Sequence, residues 1–399
     1  MANVQPFAAL RPRAGDEASV SSPPYDVLSS VEARAMSEGN LLSFLHVSKP
    51  EIDLGDAVDP YSDEVYAKGA DNFRAMQNAG TLLQDTAPAF YLYRQIMGNH
   101  TQTGIVAVAD CDEYGSGTIK KHELTRPAKE DDRVRHMEAL NAQTGLVFLA
   151  YRSEVKVDAF VGDRCEAEPD FDFNAADGVQ HTGWTVADEE GIEMLRGAFA
   201  GVEALYIADG HHRSAAAARV CNARAGSGNS GRFIAVIFPD HQMQILAYNR
   251  VVTDLNGMSP DLFLEALAVV FEIEGDAQPE AKGELAMFLE GQWRRLRFRP
   301  EYSKADLPQE GLDVALLQRH VLSPMLGIDD PRTSDRIEFV GGIRGITELE
   351  RRAQSGCAFA MHPTGIADLL AVADAGGLMP PKSTWFEPKL RDGLFCHML

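Results

Sequence analysis

The sequence predicts a mixed α/β (α+β) protein with a mixed sheet, large insertions and a C-terminal α+β domain. Three observations carry that expectation. The apolar run Leu205–Ala208, the turn pair Asp209-Gly210 and the alanine-rich segment after Arg213 read as strand, turn and helix. The runs Ala89–Gln95 and Gly104–Ala109, joined through Gly98-Asn99, read as a β-meander. From about Asp254 the chain changes to short helices and strands, which sets a boundary there: residues 1–254 as a core with an acidic insertion at about 153–200, and residues 255–399 as a second domain. A length of 399 residues suits two such domains, each with its own core.

Taken in order, Ser22-Pro23-Pro24-Tyr25-Asp26-Val27 is an extended turn because two prolines fix φ and forbid helix; it serves as a surface turn or as a pocket wall. A helix is expected near Ser30–Glu38, a strand over Ser43–Val47, and an amphipathic helix from about Pro60 to Gly80 with Tyr66, Ala70, Phe73 and Met76 at helical spacing. The span Ile119–Arg133 reads as a loop before a helix over Val134–Gln143 and a strand over Gly145–Tyr151. Trp184 sits on a strand and Glu190–Phe199 on a helix. Arg224–Gly231 reads as a linker, because its glycines follow a helix and precede a strand, the reverse of a phosphate loop. Phe233–Pro239 and Met243–Val252 read as a hairpin turning at Asp240-His241. Beyond it, helices are expected at Asp261–Val270, Ile346–Ser355 and Gly365–Ala375, and strands at Trp293–Arg299 and Cys357–Met361.

Charge and composition narrow the function. Against 37 basic residues stand 59 acidic ones, a formal net charge of −22, which opposes unspecific binding to nucleic acid or anionic membrane. A local basic pocket for a small substrate or nucleotide remains compatible with that envelope. No stretch reaches the length of a membrane span and the first residues lack a signal pattern, so a cytoplasmic location is expected. The five cysteines are dispersed and read as reduced thiols, and no histidine spacing suggests zinc.

The chemistry concentrates where strand becomes helix. The first N–H groups of a helix are unpaired and carry partial positive charge, so Asp209-Gly210-His211-His212-Arg213-Ser214 reads as a phosphate-binding turn. Gly210 lets the backbone approach phosphate, the N–H groups of His211 to Ser214 bind its oxygens, and the side chains of His212 and Arg213 add donors. A bland alternative is that the His-His-Arg group pairs with Asp209 and packs. His122, Glu123, Thr125, Lys129, Asp132 and Arg133 form a second polar group, read either as a catalytic loop or as a solvated charge run. Lys129, Arg133, Arg250 and Lys382 are candidate charge clamps, and Ser383 and Thr384 further donors. Asp209 and Glu123 are the carboxylates for the two remaining tasks, holding magnesium and accepting a hydroxyl proton; the sequence does not assign which does which.

Pro23–Val27, Ser43–Val47, His122-Glu123 with Lys129 and Asp132-Arg133, Ala208–Arg213, Asn249–Val252 and Met379–Thr384 together resemble the bacterial and archaeal family called domain of unknown function 1015, over essentially the whole chain. The Asp-Gly-His-His-Arg turn is similar to the Gly-x-x-Arg turn of the ParB/sulfiredoxin superfamily, which includes partition proteins, sulfiredoxins and free serine kinases. That resemblance implies a ParB/sulfiredoxin-like core. Sulfiredoxin chemistry needs a cysteine after the turn glycine, where this chain has His211. Partition function needs a helix-turn-helix module, which the sequence lacks. The resemblance therefore implies ATP- or ADP-linked phosphoryl transfer with Mg2+ to a small hydroxyl substrate, with catalytic roles for Asp209, Glu123, His122 and His212. A non-catalytic nucleotide sensor and a phosphatase-like hydrolase are the alternatives.

Overall fold

The computed structural model describes residues 1–55, 57–275 and 277–399. They form two compact units, Met1–Met243 with Pro388–Leu399, and Gln244–Glu387.

The first unit is built on a nine-stranded mixed sheet. Its strands run in the order Ile119–Lys120, Leu205–Asp209, Val147–Tyr151, Arg232–Pro239, His100–Asp110, Phe90–Met97, Gln180–Val186 and Phe171–Asn174, and Val4–Gln5 also pairs with His100–Asp110. Leu205–Asp209 runs parallel to Ile119–Lys120, and Arg232–Pro239 parallel to Val147–Tyr151; the other neighbours are antiparallel. Central strands buried on both faces read as unbroken apolar runs, as Phe233–Phe238 does. Helix His211–Ala223 buries Ala216, Ala217 and Val220 in the same core as Val147, Leu149, Ile207 and Ile237. Its small side chains let the helix axis lie close to the sheet.

Helix Pro127–Leu140 lies beside helix His211–Ala223, joined by Arg219 to Glu130 (3.3 Å) and Asp131 (2.7 Å) and by Arg224 to Glu138 (2.6 Å). It begins seven residues' worth of sequence earlier than the expected Val134 start, so Lys129 to Arg133 are helical rather than loop. The reason is local: Pro127 takes the first helical position, where its missing N–H costs nothing. Ser43–Val47 is also not a strand; Leu45–Ser48 is a helical turn with Phe44, Leu45 and Val47 all buried, so no face alternates.

The expected hairpin is absent. Arg232–Pro239 pairs inside the large sheet, whereas Gln244–Leu246 pairs with Trp385–Glu387 in the second unit. That unit's main sheet is antiparallel, in the order Phe271–Glu274, Gln292–Phe298, Glu284–Leu289, Cys357–Met361, Tyr248–Val252 and Ile337–Gly341. Val251, Ala286, Trp293, Leu349 and Ala358 fill one of its cores. Among the described residues no helix is long and apolar enough to cross a membrane.

Candidate functional site

Strand Leu205–Asp209 carries a register irregularity between Ile207 and Asp209 against Val147–Tyr151. Such a bulge re-aims the side chains at its end. Gly210 then caps the helix in the left-handed region, φ 100° and ψ 26°, which an L side chain adopts only at a cost. Ser214 closes the first turn, donating from its N–H to the Gly210 carbonyl (2.9 Å) and from its hydroxyl to the carbonyls of Gly210 (3.2 Å) and His211 (3.1 Å).

Asp209 sits between two cations. Its Oδ2 accepts from Lys389 Nζ at 2.9 Å and its Oδ1 from an Arg213 terminal nitrogen at 3.5 Å. Burial opposes ionisation here, yet Lys389 and Arg213 hold the carboxyl well below the usual carboxylate range. Arg213 also donates to the Leu146 carbonyl, and its guanidinium lies against Gly210. Burial works against its charge, and Asp26 and Asp209 outweigh burial.

The two histidines of the turn are buried or half-buried and neutral. The His122 N–H points to His211 Nε2 at 3.5 Å, and the two rings meet edge to face at 4.5 Å. Burial pushes His122 down to about 4 against the pull of Asp209, and burial with His122 nearby pushes His211 well below its ordinary value. His212 Nε2 accepts from the Arg126 N–H at 3.1 Å, and burial lowers it too. That bond puts the His212 proton on Nδ1, leaving one nitrogen rather than two to donate. His122 Nδ1 is buried with no hydrogen-bond partner among the described residues.

Segment 122–126 therefore meets the central turn through its backbone. Glu123, next to His122, is exposed. Lys129 is exposed on the following helix and donates to the Tyr61 hydroxyl at 2.8 Å. Arg133 is buried, bonded to Asp132 Oδ2 from Nε (2.9 Å) and a terminal nitrogen (2.8 Å), and lies 3.7 Å over the Tyr25 ring. Tyr66 donates to the other oxygen of Asp132 at 2.8 Å. Arg133 and Arg213 both line one small pocket with Tyr25, Ser48, Gly145 and Asp392, which leaves room for about one water molecule.

The other expected donors belong to the second unit. Arg250 is buried and donates to the carbonyls of Tyr248 and Lys382, the latter at 3.0 Å; burial pushes it down to about 10. Lys382 is exposed with its ammonium 5.4 Å over the Tyr248 ring, and the Ser383 hydroxyl donates to the Pro380 carbonyl at 2.6 Å. Thr384 is half-buried in the same segment.

Magnesium does not suit Asp209, whose two oxygens face an ammonium and a guanidinium. Among the described residues no group of three or more His, Cys, Asp or Glu side chains gathers as a metal site. All five cysteines are free thiols. Sequence reasoning missed Ser48 and Asp392; the Pro-Pro-Tyr-Asp segment, read as a pocket wall, does place Tyr25 in the pocket lining, although Tyr25–Val27 is a single 3-10 turn rather than extended chain.

The chain is similar to SbnI with a C-terminal truncation from Staphylococcus aureus, at 12% identity and a TM-score of 0.41 over 73% of this chain and 87% of that one. It is similar to a conserved hypothetical protein from Pyrococcus furiosus, at 14% identity and a TM-score of 0.36 over 74% and 95%. A free serine kinase in complex with AMP gives 14% identity and a TM-score of 0.35 over 73% and 91%. Among curated proteins no match is found. The family described as protein of unknown function (DUF1015) matches residues 4–315, and the chain belongs to that family.

Proposed function

We propose that the first unit binds nucleotide phosphates at the start of helix His211–Ala223 and transfers a phosphoryl group from Mg-ATP to a small hydroxyl substrate. One observation carries this reading: left-handed Gly210 opens the helix at the point where Arg213 and Lys389 gather on Asp209. The unpaired N–H groups and these cations suit a phosphate, and the likeness of the turn to the Gly-x-x-Arg motif supports the assignment.

In such a transfer the protein positions and neutralises rather than reacting covalently. The acceptor oxygen attacks the terminal phosphorus, a new O–P bond forms, and the bond to the leaving diphosphate oxygen breaks. The hydroxyl proton passes to the carboxylate of Glu123. Asp209 acts as a positioning residue that fixes Lys389 and Arg213. His122 and His211, both neutral, wall the turn rather than adding charge, and His212 donates through Nδ1. Lys129 adds an exposed cation beside them.

A second reading, a nucleotide sensor without turnover, is favoured by one feature: the cations at the turn already share an internal carboxylate and need no reaction to be balanced. Phosphoryl transfer from Mg-ATP to hydroxy acids, measured with Arg213→Ala and Glu123→Gln, separates the two. A transferase loses turnover in both variants and keeps nucleotide binding in Glu123→Gln; a sensor forms no phosphorylated product at all.

A further inference from the structure

The pocket beside Arg213 has features that phosphate binding at the turn does not explain. Ser48, at the end of the helical turn Leu45–Ser48, is 4% exposed, and its hydroxyl is buried with no hydrogen-bond partner among the described residues. It lines the pocket together with two buried guanidiniums, Arg133 and Arg213. A buried hydroxyl left unpaired in a polar cavity is costly and calls for a partner that enters from outside.

Charge points to the kind of partner. Arg133 is neutralised by Asp132, whereas Arg213 shares the single carboxylate of Asp209 with Lys389. Arg133, Arg213 and Lys389 thus face the carboxylates of Asp132 and Asp209 and, from the turn Tyr25–Val27, that of Asp26. Asp392 is the carboxyl in the pocket wall itself; burial pushes it up to about 7 even against the pull of Arg213. It forms no ion pair with either guanidinium among the described residues. Asp26, exposed on that turn, is the opposite charge that acts most strongly on Arg213, ahead of Asp209.

Room for about one water excludes a phosphate group without rearrangement, whereas a single oxygen of a planar carboxylate is of that size. Gly145 keeps the floor open: a β-carbon there would stand 3.0 Å from Arg213 Cδ and 3.8 Å from Asp392 Oδ1. We propose that this pocket seats a carboxylate of the phosphoryl acceptor, held by Arg213, Arg133 and the Ser48 hydroxyl, so that the substrate class is a small hydroxy acid rather than a neutral alcohol. This rests on the phosphoryl-transfer reading for its function, though not for its binding.

Calorimetric titration of the full chain with glycolate and with glycolamide, which differ only in the carboxylate, tests it, with ADP titrated separately. Glycolate is expected to bind at least tenfold more tightly than glycolamide. Ser48→Ala and Arg133→Met are each expected to reduce that preference by about tenfold while ADP affinity stays within twofold. Equal binding of the two probes, absence of glycolate binding, or a preference unchanged in Ser48→Ala overturns the proposal. If glycolate is preferred and lost in Ser48→Ala while ADP does not bind, the pocket stands and the nucleotide reading falls.

Discussion

Gly210→Ala tests how the turn is built. At φ 100° an L residue pays about 1–2 kcal/mol for the left-handed backbone. The added β-carbon would lie 3.2 Å from Arg213 Nε, 3.3 Å from its Cζ and 3.4 Å from Val147 Cα. Val147 belongs to a central strand and cannot yield, so the guanidinium must move off its bonds to Leu146 or Asp209, at about 1 kcal/mol more. The sum is roughly 2–3 kcal/mol, or a fall of about 4–12 °C in the thermal transition of a unit this size. Differential scanning calorimetry reads it, with Gly162→Ala as the control: Gly162 lies in helix Val155–Arg164 with nothing within 4 Å of an added β-carbon, and the change should stabilise by about 0.5–1 kcal/mol. A Gly210→Ala protein as stable as the parent refutes this account of the turn.

Two further outcomes follow from the charges around Arg213. Asp209→Asn removes the anion shared by Lys389 and Arg213 and should cost about 1–3 kcal/mol; Lys389→Met should cost clearly less in that background than alone, and additive losses in chemical denaturation would show that the pair does not couple. Asp392 has a folded pKa near 7, above the unfolded value of about 3.9, so the folded state holds its proton longer and stability falls as pH rises from about 4 to about 7. Asp392→Asn removes that loss. Its melting temperature should therefore gain on the parent across this window and stay ahead above pH 7, and a constant difference from pH 4 to pH 8 contradicts the raised pKa.

Local signals in the sequence were sufficient where local chemistry decides the structure. Leu205–Ala208 and the alanines after Arg213 marked strand and helix, because apolar burial and helix propensity agree there. They failed where distant pairing decides. Gln244–Leu246 follows Arg232–Pro239 closely but pairs with Trp385–Glu387, far along the chain. Phe44, Leu45, Val47 and Ser48 are all buried in or just before one helical turn, which no period of two or 3.6 can announce. At the candidate site the same division holds. The Asp-Gly-His-His-Arg turn is contiguous and legible, whereas Ser48 and Asp392 reach Arg213 only through the fold. Pro127, which starts a helix through Lys129 and Arg133, carried a signal in the sequence that the charge run around it obscured.

Phosphoryl transfer at the turn of Gly210 can be observed directly. Its most direct test is 31P NMR of the full chain incubated with Mg-ATP and a panel of small hydroxy acids, beside Arg213→Ala. A new phosphomonoester resonance is expected that grows as ATP is converted to ADP and is absent in the variant. ATP left intact with every acceptor, or consumed only to inorganic phosphate, contradicts it.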